Sequence, residues 1–499
     1  MQRVTRHWPL LALCLITVWL RLANLGYSNF QGDEIKALAQ PTTGQSGLTF
    51  LLEQRKGPIQ FLITRLIYLI NPSNHSEFVN RLPFALAGVL AVLIFYAFLK
   101  LHTDKTTALF AALFMATNGL FVALNRIVQY QAFLLFFSTT TLYAFSLAVY
   151  KPAWKIKGIY FGFVFLVLAV FSHYDGIFIT PMVAYLLFRW YRNNREQSKA
   201  DRLWRIGVPA VTGVLILAAY YLLLLRSASP DTQSYWLVRL FGIDQGGQIS
   251  SSVVTFQIYN PLFVLPIYFA LGLCSLLEIR KALPFLGWFL ALWAPMELLS
   301  NDPGTHIYTY ILPVCVLAGL GLKKCTDTLR KIAPGWIGNG SGLVLPILLF
   351  GGLFGLSHLI FVDHSPEYPW EARGLFIWKI ERPGDEYKLW LFGFPYFRHW
   401  REIGDFITSS AGEGAKYLTN EKETIAEYYL PPLSRSANPD IYIHISHPQS
   451  LNDRLANQKI RYWVRYYPPD KVFKNGGQII AEIYLLPHGT LDEIRSSGY

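Results

Sequence analysis

Apolar runs close to twenty residues long, the length a helix needs to cross a bilayer, recur through the first three-quarters of the chain. They cover residues 8–26, 82–101, 107–125, 131–150, 158–173, 176–190, 206–225, 257–277, 283–300, 306–322 and 341–361, and so predict eleven transmembrane helices. Pro58–Ile70 is too short to span and carries Arg65, which predicts a helix lying in the membrane interface. The first run follows Arg3 and Arg6, as in a signal peptide. It ends in Arg21-Leu22-Ala23-Asn24 without a small-x-small cleavage site, so it reads as an uncleaved first span.

From Trp400 the pattern turns polar. Helix-like Arg401–Ser409, strand-like Lys416–Leu418, helix-like Ile425–Leu430, strand-like Ile441–Ile445 and helix-like Leu451–Asn457 follow one another. Strands over Arg461–Tyr466 and Gln478–Leu486 close the series. This alternation favours a small α/β domain with a mostly parallel sheet. The connection 362–399 is rich in proline and aromatic residues, among them Pro369, Trp370, Trp378 and Trp390, and is expected on the membrane surface.

Charge orients the spans. Charged residues make up 15% of the 499, against about 25% in soluble proteins, and mean hydropathy is +0.30. Basic clusters fill alternate connections: Arg3/Arg6, Lys100/Lys105, Lys151/Lys155/Lys157, Arg189–Arg205, Arg280/Lys281 and Lys323–Lys331. The intervening short connections are nearly bare, which is the positive-inside pattern and puts the N-terminus in the cytoplasm. It accounts for much of the net charge of +12 without a nucleic-acid partner. An odd number of spans then places the C-terminal region outside. The expected architecture is a polytopic α-helical protein of the cytoplasmic (inner) membrane, with a small C-terminal extracytoplasmic α/β domain. Residues 1–361 would form the membrane domain, with 27–81 its first outer loop, 362–399 the interfacial connector and 400–499 the exported domain. The four cysteines show no metal spacing, and none lies in the exported region.

The outward connections carry the candidate chemistry. Asp33, Glu34 and Lys36 lie on the first loop, followed by Arg55 and Lys56; Arg81 opens the second span. Arg126 and Tyr130 form one hairpin, His173, Tyr174 and Asp175 another, and His306 and Tyr308 open the tenth span. Each has a plainer reading. Acids suit helix starts, cations anchor helix ends at headgroups, single histidines serve as hydrogen-bonded interface residues, and Asp suits turns. Their placement on one side distinguishes the set. Carboxylates with cations and aromatics suit glycosyl transfer, in which a base takes a hydroxyl proton and cations hold a leaving phosphate. The runner-up readings are a transporter or lipid-sugar flippase, which favours mid-span charges and internal repeats, and a membrane scaffold. No internal repeat is evident.

Several segments also match a known family in order. Gly32-Asp33-Glu34-x-Lys36-Ala37 stands where that family has Asp-Glu-x-x-Tyr/Arg-Ala, and Lys56-Gly57-Pro58 where Lys/His-Pro-Pro-Leu is usual. Glu77-Phe78-x-x-Arg81-Leu82-Pro83, Asn125-Arg126-x-x-x-Tyr130 and Tyr308-x-x-x-Leu312-Pro313 follow. Over about residues 8–325 the chain resembles the GT-C superfamily of polyprenyl-phosphate-sugar-dependent glycosyltransferases. The likeness is strongest to the family-39-like group of protein O-mannosyltransferases and bacterial aminoarabinose transferases. The resemblance implies an inverting hexosyl or pentosyl transferase that moves one sugar from a polyprenyl-phosphate donor to an extracytoplasmic protein, lipid or glycan. Asp33 would be the general base and Glu34 its support. Lys56 with Arg81 or Arg126 would hold the donor phosphate, and Lys36, Tyr130, His173, Tyr174, Asp175, His306 and Tyr308 would bind substrate. No cofactor is implied as a requirement. Some members use a divalent metal, for which Glu53, His173, Asp175 and His306 are the donors available. Gly57 in place of the first proline and His306 in place of an arginine depart from the pattern.

Overall fold

The computed structural model describes residues 8–486 except 55, 73–75, 231, 235–250, 300–302, 333–334, 382–390, 437–438 and 450–464, with backbone alone for 299 and 335–341. The helix expected over 451–457, residues 461–464 of the following expected strand, Arg55 and Trp390 lie outside the described residues. The helices are α1 (Trp8–Leu22), α2 (Gly32–Ala37), α3 (Gly47–Leu52), α4 (Pro58–Ile70), α5 (Glu77–His102), α6 (Lys105–Thr117), α7 (Gly119–Asn125), α8 (Gln131–Tyr150) and α9 (Lys157–Ser172). There follow α10 (Thr180–Asn193), α11 (Lys199–Ser227), α12 (Ser252–Tyr259), α13 (Val264–Ser275), α14 (Ile279–Leu299), α15 (Tyr308–Ile332), α16 (Gly335–Phe361), α17 (Trp400–Ala411) and α18 (Glu423–Tyr429). The strands are β1 (Ala372–Leu375), β2 (Trp378–Glu381), β3 (Lys416–Thr419), β4 (Ser434–Arg435), β5 (Ile441–Ile445), β6 (Lys471–Asn475) and β7 (Gln478–Leu485).

Two compact units result. The first comprises Met1–Ala23, Ala39–Asn74 and Asn80–His358; the second comprises Asn24–Leu38, His75–Val79 and Leu359–Tyr499. In the first, five helices are long and apolar enough to cross a membrane, or seven spans if each of two bent pairs counts as one, among the described residues. Some stretches expected as spans are shorter: α1 has 15 residues, α9 has 16 and α10 has 14. The stretch expected as a single span over 107–125 is broken at Asn118, where α6 and α7 meet at 61°. A break in lipid must satisfy its freed backbone groups internally. Here the Gly119 N–H donates to Asn260 Oδ1 (2.7 Å), Asn118 Nδ2 donates to the Tyr268 hydroxyl (3.3 Å), and that hydroxyl donates to the Phe114 carbonyl (3.2 Å). The stretch expected as a single span over 257–277 is also broken, by a bend of 111° between α12 and the helix that starts at Val264; from Val264 onward α13 and α14 run out and back along α15. Gly321 lies against the Leu271 carbonyl and Lys324 reaches Glu278 (3.2 Å), while Tyr310 reaches Glu297 (2.8 Å).

In the second unit the sheet order is β4-β3-β5-β7-β6. β3 pairs in parallel with β4 and β5, whereas β7 pairs antiparallel with both β5 and β6. The sheet is therefore mixed where the alternation favoured a mostly parallel one. The difference arises because β6 and β7 form a hairpin closed by Gly476 and Gly477, whose φ values of 53° and 86° suit a two-residue turn that only glycine accepts readily. Alternation sorts the faces: Ile441, Ile443 and Ile445 pack with Ile483, Trp400, Ile403, Ile407 and Ile425, and Tyr442 pairs with Tyr484 on the other side. The segment bearing α2 belongs to this unit. Ile35 packs on its core, the Phe30 N–H donates to the Tyr429 hydroxyl (2.7 Å), and Asn29 Oδ1 accepts from the Arg398 N–H (2.7 Å). Tyr27 and Asn475 both donate to the buried Glu367, whose carboxyl burial pushes up. Glu77 is drawn in too, paired with Arg401 (2.6 Å) and accepting from Tyr429 (2.8 Å).

Candidate functional site

The first unit gathers its polar residues around Asp175, in the turn Tyr174–Ile179 that links α9 to α10. α9 ends at Ser172 and the extended His173 follows, so the next residue pair folds back on the helix end. Asp175 Oδ2 lies 2.5 Å from His306 Nδ1 and accepts from the Tyr308 hydroxyl at 2.8 Å; Oδ1 lies 3.1 Å from His173 Nδ1. The Asp175 N–H donates to that same His173 nitrogen (3.2 Å). Burial works against ionisation of Asp175, but the two imidazoles hold its carboxyl well below the usual range.

Aromatic rings extend the cluster. Tyr130 stacks on His173 with centroids 3.9 Å apart and planes at 11°, and Tyr174 lies 3.7 Å from His173 on centroids. Lys56 Nζ sits 5.6 Å from the Tyr130 ring centre and donates to Gln129 Oε1 at 2.6 Å. Gly57 explains how Lys56 comes so near. A Cβ at Gly57 would lie 2.1 Å from the Phe171 carbonyl oxygen and 2.7 Å from that of Ser172, so neither alanine nor the family's proline fits there. Seven of the residues expected at the site are thus joined in one unit: Lys56, Tyr130, His173, Tyr174, Asp175, His306 and Tyr308. Gln129 stood in the expected hairpin but was not singled out by type.

Arginines form a second group in this unit. Arg81, Arg126 and Arg21 are all buried, and Arg126 Nη1 donates to the Leu20 carbonyl (3.0 Å). Burial first, and then the charges of Arg81 and Arg21, lower the Arg126 pKa to about 9. Arg126 is within electrostatic reach of both Arg81 and Arg21, while Arg21 donates to the Ala116 and Met115 carbonyls (3.1 and 3.5 Å); buried guanidinium groups of this kind suit a phosphate. Arg21 was read only as the end of a span. Its apolar surroundings in sequence hid it, although an arginine inside an apolar run is itself a functional signal.

Asp33, Glu34 and Lys36 lie in the second unit, on α2. Glu34 is fully buried and closes a capping box: its Oε2 accepts from the Gln31 N–H (3.1 Å), and Gln31 Oε1 accepts from the Asp33 N–H (3.4 Å). The cap uses the Glu34 carboxylate and not that of Asp33, which stays half-buried; Lys36 is exposed. The pair thus divides into a helix-fixing acid and an acid outside the cap.

The ligand atoms of His173, Asp175 and His306 lie within 4.8 Å of one another. Two imidazoles and a carboxylate are a donor set that fits a divalent transition metal. Glu53 is not with them; it is exposed and accepts from Gln45 (2.7 Å).

Residues 55–200 match the family model described as dolichyl-phosphate-mannose-protein mannosyltransferase, a stretch that contains Lys56, Arg81, Arg126, Tyr130, His173, Tyr174 and Asp175. None of the curated proteins matches the chain. Among solved structures, the apo oligosaccharyltransferase of Archaeoglobus fulgidus superposes with a TM-score of 0.53 at 14% identity, over 90% of this chain and 61% of its own. ArnT from Cupriavidus metallidurans in the apo state gives 0.52 at 14% identity, over 96% of this chain and 98% of its own. The chain therefore spans less than two thirds of the archaeal protein's length. At these identities the likeness is one of fold, and that fold is the GT-C fold. The family match covers residues 55–200, less than half of the chain, and agrees with that fold.

Proposed function

We propose that the chain transfers a single sugar, with inversion, from a polyprenyl-phosphate donor to a hydroxyl on an extracytoplasmic acceptor. The observation that carries this reading is the contact chain from Lys56 through Gln129, Tyr130 and His173 to Asp175, His306 and Tyr308. It combines a cation, stacked rings and a fixed carboxylate, which are the groups that hold a phosphate and a sugar side by side. In this reading Asp33 takes the acceptor's hydroxyl proton. The acceptor oxygen bonds to the anomeric carbon on the face opposite the phosphate, the bond from that carbon to the phosphate oxygen breaks, and the electron pair leaves with the polyprenyl phosphate. Lys56, Arg81, Arg126 and Arg21 balance the second negative charge that then develops on the phosphate. Glu34 acts through the cap by fixing α2. Tyr130, Tyr174 and the His173 ring offer stacking faces for the sugar, and Lys36 and His306 offer polar contacts. A divalent metal, when bound by His173, Asp175 and His306, would supply further positive charge for the phosphate. The positive-inside pattern supports an outer-face acceptor and a cytoplasmic N-terminus.

The test is transfer from a polyprenyl-phosphate donor labelled in its sugar, with envelope membranes from a strain lacking the chain as acceptor source. Wild-type protein is expected to move label into acceptor and release polyprenyl phosphate in equal amounts. Release without transfer, or neither, contradicts the reading.

A further inference from the structure

At the end of α10 an open hollow of about 530 Å³ is lined by Tyr185, Phe188, Arg189, Arg192, Asn193 and Arg195. It lies at the basic ends of the membrane helices, with no residue in common with the Asp175 cluster. Arg189 forms its inner wall. Its Nη1 donates to the Tyr150 hydroxyl (2.6 Å), and its guanidinium lies 5.2 Å from the Tyr150 ring and 5.9 Å from that of Tyr185. Arg192 stands over Phe188 at 5.7 Å. The acids of the neighbouring connection are engaged elsewhere: Glu196 pairs with Lys155, and Asp201 pairs with Arg205 (3.0 Å). Among the described residues, no carboxylate pairs with Arg189, Arg192 or Arg195.

The outer wall is amphiphilic. Ala184, Phe188 and Arg192 follow at intervals of four along one face of α10, all exposed, so an apolar strip passes into a cationic one over two turns. Phe188 is 57% exposed. A soluble anion has no use for that strip, whereas a phospholipid presents an acyl chain and a phosphate in the same order. Basic pockets between membrane helices are where anionic headgroups bind, and arginine suits their phosphate by paired donors.

We infer that this hollow is a binding site for an anionic phospholipid, its phosphate held by Arg189, Arg192 and Arg195 and its acyl chain laid along Ala184 and Phe188. The site is separate from the proposed chemistry and stands whether or not sugar transfer is found.

Native mass spectrometry of the full chain in detergent tests it, with phosphatidylglycerol, phosphatidylcholine and glycerol 3-phosphate as probes. Phosphatidylglycerol is expected to stay bound while the other two do not. The double variant Arg192→Gln/Arg195→Gln removes two exposed cations without touching the Arg189–Tyr150 bond. It should weaken phosphatidylglycerol about 25-fold, at roughly fivefold per cation near the headgroup plane. Lys151→Gln/Lys199→Gln removes the same charge from exposed positions outside the hollow and should change binding by less than about threefold. Equal losses in both double variants mean diffuse surface charge and overturn the site. Equal retention of phosphatidylcholine, or binding of glycerol 3-phosphate as tight as that of the lipid, overturns it as well.

Discussion

The His306 ring nitrogen sits 2.5 Å from the Asp175 carboxylate across 131 residues of chain. Tyr308 donates to the same oxygen from one short step further along. This one carboxylate therefore ties the turn before α10 to the start of α15, and each donor it has should contribute to stability. Tyr308→Phe removes a donor from a buried carboxylate and is expected to cost about 1.5–3 kcal/mol. Denaturant or thermal unfolding of the purified protein reads this directly; an unchanged unfolding curve contradicts the role given to Asp175.

Lys56 tests the phosphate side. Lys56→Met keeps length and loses charge, and kcat/KM for the polyprenyl-phosphate donor is expected to fall about 10- to 100-fold, the range of one charged hydrogen bond. Lys56→Arg should recover part of it, because the charge remains while the bond to Gln129 must be remade. Steady-state kinetics with varied donor separates the two, and equal activity of Lys56→Met and wild type removes Lys56 from the site.

Much of this cluster is legible in the sequence. Charge alternation predicts which connections share a side, and His173, Asp175, His306 and Tyr308 fall where polar residues gather and basic ones do not. Hydropathy could not reveal which of them would touch, since pairs such as Asp175 and His306 meet only through the packing of distant helices. Arg21 was missed because a window average over α1 swallows one charge. The break at Asn118 was missed for a similar reason: α6 and α7 are apolar on both sides, and the asparagines that satisfy the break come from different segments. In the second unit β5 was read correctly to the residue, whereas β6 was not foreseen because lysines at Lys471 and Lys474 masked its alternation. Gly476-Gly477 before a clear strand was the signal that could have found it.

Gly57 offers a test that removes no charge. Gly57→Ala puts a Cβ 2.1 Å from the Phe171 carbonyl oxygen, and overpacking of this kind costs about 1–3 kcal/mol when the backbone yields. Transfer activity and thermal stability are both expected to drop. Gly47→Ala, where a Cβ meets nothing within 4 Å, should leave both unchanged. Matching behaviour of the two variants would show that the close approach of Lys56 to the turn does not matter.

Glu77 was expected only as part of a motif, and the structure gives it a structural task. Glu77→Gln weakens its bond to Arg401 and the one it accepts from Tyr429, both partners lying in the unit built on the sheet. A loss of about 1–3 kcal/mol is expected, seen as faster proteolysis within residues 400–486 of the intact, membrane-embedded chain. Cleavage at the wild-type rate would mean that the pair is ornamental.

In the proposed reaction Asp33 is the base. Asp33→Asn preserves shape and removes the proton acceptor, while Glu34 still closes the cap that holds α2. The measurement is the single-turnover rate of labelled sugar transfer from polyprenyl phosphate by the purified, liposome-embedded protein. A fall of about 10²- to 10⁴-fold with donor binding retained is the predicted result. Transfer by Asp33→Asn at the wild-type rate would contradict the account.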